Sequence, residues 1–72
     1  MRVVLFAMEQ TAKMKEHHAD GTVSVRVLRG ALRLRIGEGD MRLGTGGLLI
    51  IGAKVRHDVE ALEESVFLLT IA

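Results

Sequence analysis

The chain has 72 residues, 49% of them apolar and 3% aromatic, with a net charge of +1 and neither cysteine nor proline. That length allows a single domain over residues 1–72, whose core supplies about 3–5 kcal/mol unaided, so self-association or a bound metal is needed as a supplement. Disulfides and thiolate metal sites are excluded, and the near-neutral charge with no tyrosine or tryptophan to stack bases argues against nucleic-acid binding.

Near the start, "VVLFAM" reads as a strand over residues 3–8. Its apolar run falls far short of the about 20 residues a membrane span needs, so no membrane partner is expected and the cytoplasm is the default location. The run is apolar on both phases of a strand, which would leave one face in water. It therefore predicts a homodimer, or a larger closed assembly, with residues 3–8 in the interface. "TAKMKEHH" fits either a short strand or one helical turn. Val23, Val25 and Val27 then alternate with Ser24 and Arg26, and Leu32, Leu34 and Ile36 with Arg33 and Arg35. That is the period-two pattern of a sheet buried on one face. "GEGD" at 37–40 offers turn chemistry for a hairpin into residues 41–43. "LLII" at 48–51 reads as a strand buried on both faces. Over 55–69 the residues Val55, Val59, Leu62, Val66 and Leu69 keep a helical spacing, yet a strand pair turning at "LEES" fits equally well. The like charges Glu60 and Glu64, four apart, and the β-branched "SVFLLTI" weaken the helix. Many short strands with glycine turns predict an antiparallel barrel or sandwich over residues 22–71.

Two segments point to something more specific. From Gly46 to His57 the chain keeps the spacing of a signature that runs glycine, proline-glycine turn, histidine, asparagine, with Gly52, Lys54 and Ala61 in place of the proline, the turn glycine and the asparagine. Upstream, Gly30 anchors a second signature in which His18 takes a histidine position, Glu16 stands at the other histidine and Val23 at the glutamate. In these features residues 13–71 resemble a small single-domain member of the cupin superfamily. The resemblance implies an all-β, antiparallel double-stranded β-helix, or jelly-roll barrel, that is short at its N-terminal end. Cupins share a barrel and differ in chemistry, among them dioxygenases, isomerases, sugar-binding regulators and storage proteins, so the fold names no reaction and leaves open whether the chain is an enzyme.

Neighbouring residues on a strand face opposite ways, so at most one of His17 and His18 can face a barrel interior. The spacing favours His18, and a one-residue change of register would favour His17. With His57 and Glu16 this makes a two-histidine, one-carboxylate set suited to a divalent transition metal: zinc, manganese, nickel or iron. Val23 in place of a carboxylate removes one ligand and dries the cavity wall. The competing reading of "EHHADG" is a solvated turn bent at Asp20 and Gly21, and of His57 a structural histidine bonded to a backbone carbonyl. Two functions follow: a small cupin with a divalent-metal site in the barrel, or a metal-free cupin acting as a small-ligand-binding, regulatory or structural module.

Other chemistries fit poorly. Ser24 and Ser65 are the only serines and neither sits in a nucleophile elbow. "GTGGLL" lacks the spacing of a phosphate loop, so its glycines serve a tight turn. Arg26, Arg33, Arg35 and Arg42 take the polar phase of their strands, as a basic stripe or, more commonly, a solvated face.

Overall fold

A computed structural model describes residues 1–14 in full, 15–17 as backbone, and 20–72. Eight strands follow in order: β1 (Arg2–Met8), β2 (Lys13–His17), β3 (Val23–Arg29), β4 (Ala31–Ile36), β5 (Gly39–Gly44), β6 (Leu48–Ile51), β7 (His57–Ala61) and β8 (Ser65–Ile71). They form two four-stranded sheets, sheet I in the order β1-β8-β3-β6 and sheet II in the order β2-β7-β4-β5. All pairings are antiparallel. Except at the β4–β5 hairpin, each strand crosses to the opposite sheet before the next begins, which is the winding of a jelly-roll barrel. The expected all-β architecture is the one observed.

Alternation explains the layers. Val23, Val25 and Val27 of β3 are buried between the sheets, and Arg26 between them is exposed. Their β-branched side chains keep few rotamers and fit a pleated surface. Leu32, Leu34, Val59 and Ala61 of sheet II complete the core from the other side, with Phe67 fully buried. Each large side chain so buried contributes about 1.5–3 kcal/mol. Phe6 and Phe67 face one another across β1 and β8 with ring centroids 5.2 Å apart and planes at 13°.

Residues 55–69 are two strands and a turn, which settles the choice left by their spacing. Val59 and Leu69 point inward while Val66 and Leu68 lie on the outer phase of β8, so apolar residues on both phases imitate a helical period. The expectation for 48–51 is overturned: Ile51 is buried, but Leu48 and Ile50 are 54% and 65% exposed, because they lie on the outer face of sheet I, which no described residue covers. The hairpin at "GEGD" forms as expected, with Ile36 paired to Gly39 and Gly37 at φ +56°.

The arginines make no stripe. Arg26 lies on the outside of sheet I, whereas Arg33, Arg35 and Arg42 lie on the outside of sheet II among Asp40, Asp58 and Glu60. Arg33 holds Asp40 by Nε to both carboxylate oxygens at 3.1 Å and by a terminal nitrogen at 2.6 Å.

The barrel has two differently finished ends. At one, Gly30 alone joins β3 to β4. Ser65 Oγ accepts from the Ala31 N–H at 3.1 Å and donates to the Glu63 carbonyl at 2.8 Å, while Thr45 Oγ1 accepts from the Gly30 N–H at 3.1 Å. Gly30 is at φ +101°, and a Cβ there would stand 2.3 Å from Ser65 Oγ. Backbone bonds from Thr11 to Ala61 and from Leu62 to Ala31 close this end further. The other end carries the connections at 20–22, 37–38 and 52–56, and His57.

Candidate functional site

His57 opens β7 immediately after the 52–56 connection and is 2% exposed. Its Nδ1–H donates to the Val55 carbonyl at 3.1 Å. That bond assigns the proton of a neutral ring to Nδ1 and makes Nε2 the acceptor. The backbone-carbonyl bond expected of a structural histidine is present, and the ring is buried. Lys54, three residues before it, has φ +64°. Here the turn keeps a backbone shape that favours glycine, although the side chain is lysine.

Across the sheet, Ile36 pairs with His57 on one side, and on the other side the backbone of His17 does, after a break in register between Met14 and His17. Glu16 lies within that irregular stretch of β2. His18 is outside the described residues. The structure therefore sets His17 and His57 at partner positions in the ladder and describes no contact for Glu16 or His18. On sheet I, Val23 is buried at the same end of the barrel, paired with Ile51 and Ile71. Among the described residues, His57 and Ser65 are the buried polar side chains, and Ser65 belongs to the opposite end.

The described residues do not complete a metal site. Among them no group of three or more histidine, aspartate or glutamate side chains is placed to hold an ion. His57 offers one imidazole, and Val23 offers no donor where the signature has a carboxylate. Two hollows are present elsewhere. One of about 230 Å³ lies outside sheet II between Lys13, Arg33, Arg35, Asp58 and Glu60, and one of about 360 Å³ lies by Met8, Arg29, Glu64 and Ser65. Neither is lined by His57. Both are open and bordered by solvated charges, so the buried histidine is the better marker of a site.

The model of the AraC-like ligand binding domain matches residues 2–71. The chain belongs to this family. Its fold is also that of solved cupins. A conserved protein of unknown function from Streptococcus pyogenes superposes on this AraC-like domain with a TM-score of 0.95 at 21% identity, covering 97% of this chain and 61% of the other. A cupin superfamily protein from Desulfitobacterium hafniense gives 0.90 at 16% identity, covering 96% and 64%. Oxalate decarboxylase of Bacillus subtilis, an enzyme with Mn(II) centres, gives 0.89 at 22% identity, covering 93% of this chain and 19% of the enzyme. The AraC-like domain thus spans about three-fifths of the first two proteins' length. No curated protein sequence matches it significantly. Sequence spacing found His57; the Val55 carbonyl that orients its ring had no sequence signal, since any residue supplies one. Among the described residues no helix is long and apolar enough to cross a membrane.

Proposed function

We propose that this chain is a small-ligand-binding cupin module, with the ligand held at the end of the barrel that carries His57. The observation behind this is His57 itself: a buried imidazole in a barrel whose other buried side chains are mostly apolar, in a family of ligand-binding domains. Such a site suits a small molecule with an apolar body and one polar group directed at the ring. Location in the cytoplasm and action as a homodimer belong to the same reading, the latter supported by the exposed Val3 and Leu5 of β1.

The test is a thermal-shift and calorimetric screen of small carboxylates, sugars and amino acids. A ligand at one hundred times its Kd should stabilise the native protein by about 2.7 kcal/mol, and His57→Ala should lose that gain. Absence of any His57-dependent ligand across the screen counts against the reading.

A second reading is supported by the Nδ1 bond and by the register of His17 with His57. It makes His57, His17 or His18, and Glu16 the holders of a divalent transition metal. An imidazole oriented by a carbonyl is a common arrangement for a metal ligand. Titration of chelator-stripped protein with zinc, manganese, nickel or iron(II) should then show binding that weakens on acidification, because protons compete for the ring nitrogens. Both His57→Ala and the His17→Ala, His18→Ala double variant should bind more weakly. Equal binding by all three proteins would falsify the metal reading.

A further inference from the structure

β5 is an edge strand of sheet II, paired with β4 along one flank. Among the described residues no backbone bond reaches its other flank between Gly39 and Leu43. The loop at 37–38 is a two-residue turn, so Ile36 and Gly39 are the hydrogen-bonded pair that closes it. Antiparallel pairs alternate from there, which turns the N–H and C=O groups of Asp40 and Arg42 away from β4 and out to the open flank. The side chains mark the same place. Met41 lies on the inner phase in register with the buried Leu34 and Val59, yet it is 43% exposed. Arg42, on the outer phase, stands directly opposite the like-charged Arg33, whose own partner is Asp40. Among the described residues no carboxylate lies within ion-pair distance of Arg42.

We propose that Asp40, Met41 and Arg42 pair antiparallel with the same three residues of a second copy, about a two-fold axis through Met41, so that sheet II continues across two molecules. The order acid, apolar residue, base is self-complementary under such an axis. Each Arg42 then stands opposite Asp40 of the second copy, and Met41 stands opposite Met41, on the same side of the joined sheet. Charge selects this register from its neighbours. Moving the axis by one residue sets Arg42 against Arg42 or Asp40 against Asp40, and like charges directly opposite destabilise a strand pair. Moving it by half a residue sets outer charges against inner apolar side chains. The backbone agrees, because Asp40 and Arg42 carry the open N–H and C=O groups and this register matches them to one another. Asp40 has room for the second guanidinium, since a carboxylate offers about four lone-pair sites and Arg33 fills only part of them.

This contact lies on the other sheet from β1 and does not depend on the homodimer reading. It is also narrow. An edge pairing of so few residues buries less than about 1,200 Å² and belongs with weak, transient contacts. Its charged pairs are exposed, so association should weaken as salt screens them.

Two charge variants carry the test. Arg42→Asp leaves Arg33 and Asp40 in place and makes the strand acidic at both outer positions, whereas Asp40→Arg makes it basic at both. Each alone should lose the contact, and an equimolar mixture should regain it, because an acidic strand then meets a basic one. Sedimentation equilibrium at about 1 mM suits a contact this small, with circular dichroism to confirm that both variants fold. The native chain should sediment at twice the mass of Arg42→Asp. That ratio holds as dimer to monomer if the homodimer reading fails and as tetramer to dimer if it stands, so the two readings separate. Since the chain has no cysteine, Met41→Cys gives a second readout in an otherwise native strand. Across the axis the two positions form a pair that is not hydrogen-bonded, about 4.5 Å apart at Cα and within disulfide reach. Met41→Cys should crosslink about ten-fold faster than Glu38→Cys at the turn, as geometry and access govern thiol exchange. A mixture no more associated than its two components, or a Met41→Cys chain that crosslinks no faster than Glu38→Cys, overturns the proposal, and β5 is then an edge kept apart by its arginine and glycines.

Discussion

At one end of the barrel Ser65 and Thr45 bond the backbone around Gly30; at the other, His57 bonds the Val55 carbonyl beside a loop in which Lys54 occupies left-handed space. The same strands run through both ends, so the core does not distinguish them. The connections do. Small hydroxyls and a glycine, placed where three turns meet, spend their hydrogen-bonding capacity on the fold itself. The other end holds a buried histidine and a turn in left-handed backbone space. Within one small barrel, the hydroxyl lock belongs to the first end and the proposed binding to the second.

The contrast is broken most severely at Gly30. Gly30→Ala would force a Cβ to within 2.3 Å of Ser65 Oγ and 2.5 Å of the Glu64 carbonyl at φ +101°, and it should lose about 3 kcal/mol or more, combining left-handed strain with overpacking. For a chain this short, urea denaturation should show little native protein. Ser65→Ala comes next, with an expected loss of about 1–3 kcal/mol because the partly buried Ala31 N–H loses its acceptor. A midpoint unchanged from the native protein would mean that this end is not locked by the hydroxyl.

At the other end the sign should reverse. Lys54→Gly relieves a positive φ of 64° and should stabilise by about 0.5–1 kcal/mol, with the same shift visible in thermal melts. If Lys54 contributes to ligand binding, affinity falls while stability rises, which separates the two roles of this loop.

The smallest effect is electrostatic. Hydrogen bonding to Arg33 holds the exposed Asp40 carboxyl below its ordinary value of 3.8. A carboxyl with a depressed folded pKa contributes stability that is fully present above its unfolded value and is lost as the pH falls through the folded one. Native protein and Asp40→Asn should therefore differ slightly at neutral pH and converge as the pH falls below 3.8 and on through the lowered folded value; a difference that persists once the carboxyl is fully protonated would assign the effect to something other than the ion pair.

The sequence made the two alternating strands around Gly30 legible because each buries one face and exposes polar residues on the other. It was less informative where both phases are apolar: 48–51 looked doubly buried although its outer residues are exposed, and β8 imitated a helix. The edge position of β6 follows from the chain's winding, which no local window contains. His57 was legible through its distance from Gly46, and the turn between them kept its shape without its usual glycine. The lock at Ser65 was not, since a serine at a strand start has no distinctive pattern. The signal was Gly30, a single residue between two alternating runs, where no ordinary turn has room. His17, His18 and Glu16 depend on a register that shifts within β2, and a shift of one residue exchanges their faces.

The stacked Phe6 and Phe67 have a spectroscopic consequence. With no tryptophan or tyrosine, these are the chain's only benzene rings, so the protein is nearly dark at 280 nm and in conventional fluorescence. A single tryptophan introduced at any position would be its sole emitter there. Ring currents from the stacked pair would also displace the proton resonances of neighbouring methyl groups in an otherwise unperturbed aliphatic spectrum, giving nuclear magnetic resonance a native, label-free signal for the moment when β1 leaves β8.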